Sequence, residues 1–215
     1  MTSSALISFD ASALVDWTAD FYALDRLTAG RLDAHIPGSF GHSRRVSRLA
    51  GSTAEELGLD REEATRVRRA AAFHDVGKVE VPNEIINRPG PLSEEEFAIV
   101  KRHAVAGGRI VARWGDERLA AMVRHHHERF DGGGYPEGLA GEEIPIGARI
   151  IAVADTFDAV TSARPYRPAI GWREALGRLR EAAGQQLDPA VVEAFCRRHR
   201  GLRGSLGLRR IALRG

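Results

Sequence analysis

The sequence predicts an all-α domain, and three observations carry that prediction. Apolar residues recur at helical spacing through most of the 215 residues, whereas strand-like alternation is scarce. Helix starts are marked by capping signals at Asp60/Glu63, Ser93/Glu96 and Asp188-Pro189. Proline and glycine gather in two stretches, 82–91 and 132–145, which read as loops. At ~150 residues per domain, the length points to one domain with short appendages.

The first helix of the domain is predicted over 42–57, with Val46, Leu49, Ala50, Ala54 and Leu57 on one side and Gly58 closing it. Asp60 and Glu63 open the next, which runs through Val67, Ala71 and Phe73 to His74. After the loop containing Pro82, Pro89, Gly90 and Pro91, a capping box at Ser93 and Glu96 starts a helix, with Leu92 and Phe97 placed as a hydrophobic staple. That helix is expected to carry His103 near its middle and to continue toward Trp114. A further helix from about Asp116 brings His125, His126 and His127 to its end. Gly132, Gly133, Gly134 and Pro136 then forbid regular helix. Residues 147–162 are strongly apolar, with Asp155 and Asp158 one turn apart. Trp172 to Ala183 is amphipathic, and Asp188 caps a last helix with Pro189 in its first turn. The expected organisation is an N-terminal helical arm over 1–34, a helical domain over 35–199 and a basic tail over 200–215. In the arm, Leu14, Val15, Trp17, Phe21, Leu24 and Leu27 predict a helix packed on the domain or on a second copy, as in a homodimer.

Composition excludes several classes. No run approaches the ~20 apolar residues that span a bilayer, and Met1 to Asp10 has no basic region followed by an apolar stretch. Cys196 is the only cysteine, which excludes an internal disulfide framework and any thiolate zinc site. A cytoplasmic protein with no membrane association is the expectation. Net charge is only +2, but after Glu193 no acid follows, while Arg197, Arg198, Arg200, Arg203, Arg209, Arg210 and Arg214 do. A short Arg/Gly-rich end of this kind is ordinarily solvated, so a nucleic-acid partner is not expected.

The chemistry is carried by histidine. His42, His74, His103, His126 and His127, with His125 beside them, make six of the eight histidines, two of the segments being HDVGK (74–78) and HHERFDGGGYP (126–136). A single histidine near an apolar face is ordinarily a hydrogen-bonded core or surface residue. Here His74 and Asp75 end a helix whose preceding turns are apolar, and Asp155 lies within IIAVADTFDAV, where an unpaired carboxylate costs several kcal/mol. A metal ion removes that penalty for all of them at once. Side chains of adjacent helical residues diverge by roughly 100°, so His74 suits one ion while Asp75 bridges two, and His126 and His127 supply nitrogens to the second. Two divalent ions ~3.5–4 Å apart generate a hydroxide and clamp both oxygens of a phosphoryl displacement. Lys78, one turn beyond Asp75, is placed to reach a phosphate oxygen.

These strings resemble the HD-GYP phosphodiesterases of the HD phosphohydrolase superfamily, over about residues 35–197. GHSRRVSRLA, AAFHDVGK, PNEIINRPGPL, KRH, HHERFDGGGYPEGLAGEEIP and ARIIAVADTFDAVTSARPYR look like the family's blocks in order, and both His74-Asp75 and Gly134-Tyr135-Pro136 are intact. The resemblance implies an HD-domain helical bundle with a long GYP loop. It also implies hydrolysis of cyclic di-GMP to the linear dinucleotide and, as in many members, onward to GMP, with iron or manganese held by His42, His74, Asp75, His103, His126, His127 and Asp155. The His/carboxylate set also accommodates zinc or nickel. Catalysis then falls to Asp75 and Lys78. Lys78 is implied as the phosphate contact, and Asp158, Arg164 and Arg167 as residues near the substrate. Tyr135 lies in the signature loop, which the family is thought to use for signalling protein partners.

The sequence departs from the family at Gly38, where some members have a glutamate that helps hold a third metal, so two metals are expected. Ala104 stands where proline commonly follows the third histidine, and His125 is expected outside the ligand set. The segment 1–34 is too short for the receiver domain many members carry. Two alternatives stand beside the main reading: an HD-type phosphohydrolase acting on another nucleotide, and a non-hydrolytic cyclic-dinucleotide receptor or docking module.

Overall fold

The computed structural model describes residues 32–162 and 168–200, and among these the regular structure is helical, with one isolated bridge between Ala183 and Leu187. The helices are α1 (Ser39–Glu56), α2 (Arg61–Phe73), α3 (Asn83–Ile86), α4 (Glu94–Lys101), α5 (His103–Ala112), α6 (Glu117–Arg124), α7 (Ile146–Thr161), α8 (Trp172–Glu181) and α9 (Pro189–His199). Short 3-10 turns occupy Val76–Glu80 and Gly141–Glu143. Most of the predicted arm over 1–34 and most of the basic tail lie outside the described residues.

The capping signals act as their chemistry requires. The Asp60 carboxylate accepts from the Glu63 amide, Ser93 and Glu96 form a reciprocal box, and Asp188 accepts from the Ala190 and Val191 amides ahead of Pro189. Phe97 is 46% exposed, so it is not a buried staple on its helix. One expected element is divided. The helix thought to run from Ser93 to Trp114 stops at Lys101, with the Arg102 amide bonded to the Ile99 carbonyl, and restarts at His103. His103 is therefore the first residue of a helix, not the middle of one.

The core explains why α1, α2 and α7 are fixed relative to one another. Val46, Leu49 and Ala50 of α1, Val67, Ala70 and Ala71 of α2, and Ile150, Ile151 and Ala154 of α7 share one buried cluster. These are the helices that carry His42, His74 and Asp155, so burial of their apolar faces is what sets the spacing of the polar groups. On the far side, the Phe157 ring packs edge-on to Trp172 at 4.6 Å and tilted against Phe195 at 4.9 Å, tying α7 to α8 and α9. At the end of α9, Arg197 pairs with Glu56, Arg198 with Glu55, and Arg200 with Glu193. The first arginines of the basic stretch are thus matched by acids of the domain.

His199 closes this aromatic group, 4.4 Å from the Phe195 ring. It is 3% exposed, and its Nδ1 has no partner. Burial, with Arg198 beside it, pulls its pKa down to about 4. The unfolded chain binds this proton near pH 6.5 and the folded chain does not, so stability present above 6.5 is lost as pH falls toward 4. His199→Phe is expected to reduce the stability lost between pH 7.5 and 5.5 by about 1 kcal/mol. Urea unfolding at the two pH values measures this, and an unchanged difference would contradict it.

Candidate metal centre

Five segments deliver the polar cluster. His42 comes from the first turn of α1, His74 and Asp75 from the end of α2, and His103 from the start of α5. His126 and His127 come from the turn after α6, and Asp155 from the third turn of α7. All seven ligands expected from the sequence are brought together. Asp75 is central: its Oδ2 lies 3.5 Å from His74 Nε2 and 3.9 Å from His42 Nε2, while its Oδ1 lies 3.5 Å from His103 Nε2. Two groups of donor atoms result, Asp75/His103/His126/His127 and His42/His74/Asp75, each within 4.8 Å. Asp75 belongs to both. Asp155 Oδ1 joins the second group, 3.3 Å from His42 Nε2 and 4.0 Å from His74 Nε2.

Hydrogen bonds on the outer nitrogens fix which atom faces inward. His74 Nδ1 donates to the Ala71 carbonyl (2.8 Å), His103 Nδ1 to Val100 (2.7 Å), and His126 Nδ1 to Val123 (2.6 Å). Each acceptor lies three residues back, in the last turn of a helix, where carbonyls have acceptor capacity to spare. With the proton on Nδ1, each Nε2 presents a lone pair to the cluster. His103 Nε2 and His126 Nε2 are fully buried and have no hydrogen-bond partner. Buried acceptors left in this way are what a cation satisfies. The residues therefore fit a metal.

The electrostatics agree. Burial and neighbouring imidazoles push the His126 pKa well below its ordinary value; burial above all lowers His103 to about 4 and His127 to about 3. These rings are neutral near pH 7. Burial works against ionised Asp75, but Lys78 and the imidazoles outweigh it and hold the carboxyl well below the usual range. His42 differs: burial disfavours its charge, yet Asp155 and Asp158 raise it to about 9. His42 apart, whose proton a cation would have to displace, the site offers neutral nitrogens and ionised carboxylates, the donor set of a hard or borderline divalent cation.

Other sequence-predicted residues are placed as follows. Lys78 Nζ lies 2.6 Å from Asp75 Oδ2. Asp158, expected near the substrate, is 3% exposed and sits behind His42, accepting from its Nδ1 (2.8 Å) and from Arg45 Nε (2.6 Å). It orients His42. His125 bonds the Ala121 carbonyl and Glu137, outside the donor groups. Arg164 and Arg167 lie outside the described residues. Tyr135 stacks on His127, centroids 4.9 Å apart.

Two functional residues escaped the sequence reading. Arg45 stands one turn from His42, the spacing at which a helix pairs side chains, and it locks Asp158. Glu128 follows the paired histidines and is 4% exposed; its Oε1 accepts the Glu137 and Gly138 amides at 2.8 and 3.1 Å. It folds the glycine-rich loop back over the turn bearing His126 and His127. That loop passes so close that a Cβ on Gly134 would fall 2.3 Å from the Arg129 nitrogen.

The family model for the HD domain matches residues 27–191. The chain belongs to the HD-domain family. This HD domain is 42% identical over 180 residues to the protein named cyclic di-GMP phosphodiesterase response regulator RpfG of Xanthomonas campestris, covering 80% of this chain and 48% of that one. It is 44% identical over 157 residues to one named cyclic di-GMP phosphodiesterase from Thermotoga maritima, covering 72% and 43%. A Vibrio cholerae protein named 3'3'-cGAMP-specific phosphodiesterase 1 shares 36% identity over 188 residues, covering 83% and 42%. The chain spans about half the length of the curated relatives it matches. Among solved structures, an HDG"Y"P protein from Bdellovibrio bacteriovorus superposes with a TM-score of 0.62 at 22% identity, covering 76% of this chain and 53% of that one. The L. monocytogenes phosphodiesterase PgpH HD domain, solved in complex with cyclic-di-AMP, gives 0.57 at 18%, covering 80% and 93%. At those identities the likeness is one of fold.

In this HD domain the donor set depends on a close approach. A Cβ on Gly77 would fall 2.0 Å from the His103 carbonyl oxygen and 2.4 Å from the Gly107 nitrogen. Only glycine lets the 3-10 turn carrying Lys78 lie against α5, which starts at His103. Gly77→Ala is expected to destabilise the fold by about 1–3 kcal/mol and to lower metal content by separating Asp75 from His103. Denaturant unfolding and elemental analysis of the same preparation check both, and full metal content would refute the coupling.

Proposed function

We propose that the chain is a metal-dependent phosphodiesterase that hydrolyses cyclic di-GMP to the linear dinucleotide and onward to GMP. The observation that carries this reading is the position of Asp75, one oxygen facing each of two imidazole groups. Relatives named for the same activity support it. Two divalent ions, iron or manganese before zinc or nickel, would be held by His42, His74, Asp75 and Asp155 and by Asp75, His103, His126 and His127. When bound, such ions supply Lewis acidity toward a phosphodiester and lower the pKa of water.

The chain's own residues do the rest. Asp158 and Arg45 hold His42 in register, and the carbonyls of Ala71, Val100 and Val123 keep protons off the inward nitrogens. Lys78 meets a non-bridging phosphate oxygen as charge develops there. Arg164 and Arg167 orient the substrate through phosphate or guanine edges. Water attacks phosphorus in line with the departing 3′-oxygen: a P–O bond forms to the water oxygen, the P–O3′ bond breaks, and the proton that the water gives up balances the one that the 3′-oxygen takes to leave as a hydroxyl. No helix among the described residues is long and apolar enough to cross a membrane, and this reading places the enzyme in the cytoplasm. The glycine-rich loop, with its exposed edge at Glu137 and Gly138, is the surface offered to a signalling partner.

Asp75→Ala is expected to abolish both metal retention and turnover. Anaerobically handled protein, supplied with ferrous or manganous ions and cyclic di-GMP, gives linear product in the wild type and none in the variant; elemental analysis runs in parallel. A variant that keeps metal and activity sinks the assignment. Relatives named for 3'3'-cGAMP favour a second substrate, and offering 3'3'-cGAMP, cyclic di-GMP and ordinary nucleotides side by side decides between them. Tight binding without product from fully loaded protein would identify a receptor instead.

A further inference from the structure

The end of α4 carries a group that the metal chemistry leaves unused. Phe97 and Lys101 stand four residues apart on one helix face, and the Lys101 ammonium lies over two rings, 4.8 Å from the Phe97 centroid and 5.4 Å from that of Tyr135. Tyr135 in turn stacks on His127. The ammonium is thus separated by a single ring from the imidazole of His127, a member of the donor group. Phe97 is 46% exposed, one of two large apolar side chains so exposed among the described residues. An open ring beside a cation is the surface a nucleobase stacks on. No carboxylate among the described residues pairs with Lys101, whereas nearby Glu96 is taken by Arg88 and Glu95 by Ser93.

The helix break explains the placement. In a continuous helix, positions two apart diverge by roughly 200°. Here both Lys101 and His103 approach the His127–Tyr135 stack, His103 with its ring 5.0 Å from His127. The interruption at Arg102 allows one segment to supply a ligand and a substrate contact together.

We propose that Lys101, with Phe97 and Tyr135, forms a nucleobase subsite that selects guanine over adenine in the cyclic dinucleotide; this rests on the phosphodiesterase reading above. Guanine offers O6 and N7, two acceptors that an ammonium can bridge. Adenine puts its N6 amino donors beside N7, and these repel a cation. Lys101 is a specificity residue, not a catalytic one.

The test compares wild type, Lys101→Met and Lys101→Arg on cyclic di-GMP, 3'3'-cGAMP and cyclic di-AMP, with metal content and equilibrium binding of each dinucleotide measured in parallel. Loss of a charged hydrogen bond is expected to raise KM and Kd for cyclic di-GMP about tenfold in Lys101→Met. The change in kcat stays below about twofold, cyclic di-AMP is affected by less than about twofold, and Lys101→Arg restores the guanine preference. Equal losses on all three dinucleotides, unaltered selectivity, or a loss that tracks falling metal content would overturn the proposal, the last showing that Lys101 merely supports Tyr135 and His127. A wild type inert on every dinucleotide would instead bring down the phosphodiesterase reading, and that result appears before any substitution is made.

Discussion

Imidazole lone pairs facing a buried carboxylate are the arrangement on which the rest of this molecule depends. His74 Nε2 and His103 Nε2 each stand 3.5 Å from an oxygen of Asp75, and because both rings hold their proton on Nδ1, neither can donate to it. Acceptor faces acceptor on both sides of the same carboxyl group. Such contacts are repulsive in a low-dielectric interior and are tolerated only where something else compensates. Lys78 compensates in part, at 2.6 Å from Oδ2, and a cation between the lone pairs would satisfy the rest. The fold is the frame that forces these groups together: the apolar faces of α1, α2 and α7 cannot be buried without bringing His42, His74 and Asp155 to one place.

The outlying carboxylates follow a different logic from the central one. Asp158 is satisfied within the chain, by His42 Nδ1 and a two-pronged contact from Arg45, so it needs no ion. It fixes the ring whose other nitrogen faces Asp155, much as a carboxylate behind a ligating histidine sets its tautomer and basicity. One helix thereby contributes two aspartates with separate duties. Asp155 faces the donor atoms and Asp158 faces the support, although both stand on the same side of α7 one turn apart.

How much of this was readable beforehand varies with the kind of signal. Helix starts at Asp60, Ser93 and Asp188 were legible because a cap is local chemistry between a side chain and an amide two or three residues on. The burial of His74 and Asp75 and the half-burial of Asp155 were legible because polar residues stood where apolar periodicity demanded burial, whereas the full set of seven came from the resemblance to a known family. The break at Arg102 was not: Lys101, Arg102 and His103 contain neither glycine nor proline, and the interruption belongs to tertiary contacts, including the turn at Gly77 pressed against His103. Asp158 was placed near the substrate by resemblance alone; its bonds to His42 and Arg45 were not legible, because spacing gives the face of a helix but not which neighbour fills it. Glu128 was hidden for a related reason, since a glutamate after two histidines shows its role only once the loop returns its amides.

That loop joins metal chemistry to recognition. Glu128 anchors it from inside, and the Tyr135 amide bonds the His127 carbonyl at 3.3 Å while its ring covers the His127 imidazole. His127 therefore lies between the donor group, which its ring nitrogen joins, and a half-buried aromatic side chain stacked on its ring. A ligand pressing on Tyr135 presses on a residue of the donor set. The stacked pair thus ties the ring of Tyr135 to the orientation of an imidazole in the Asp75/His103/His126/His127 group.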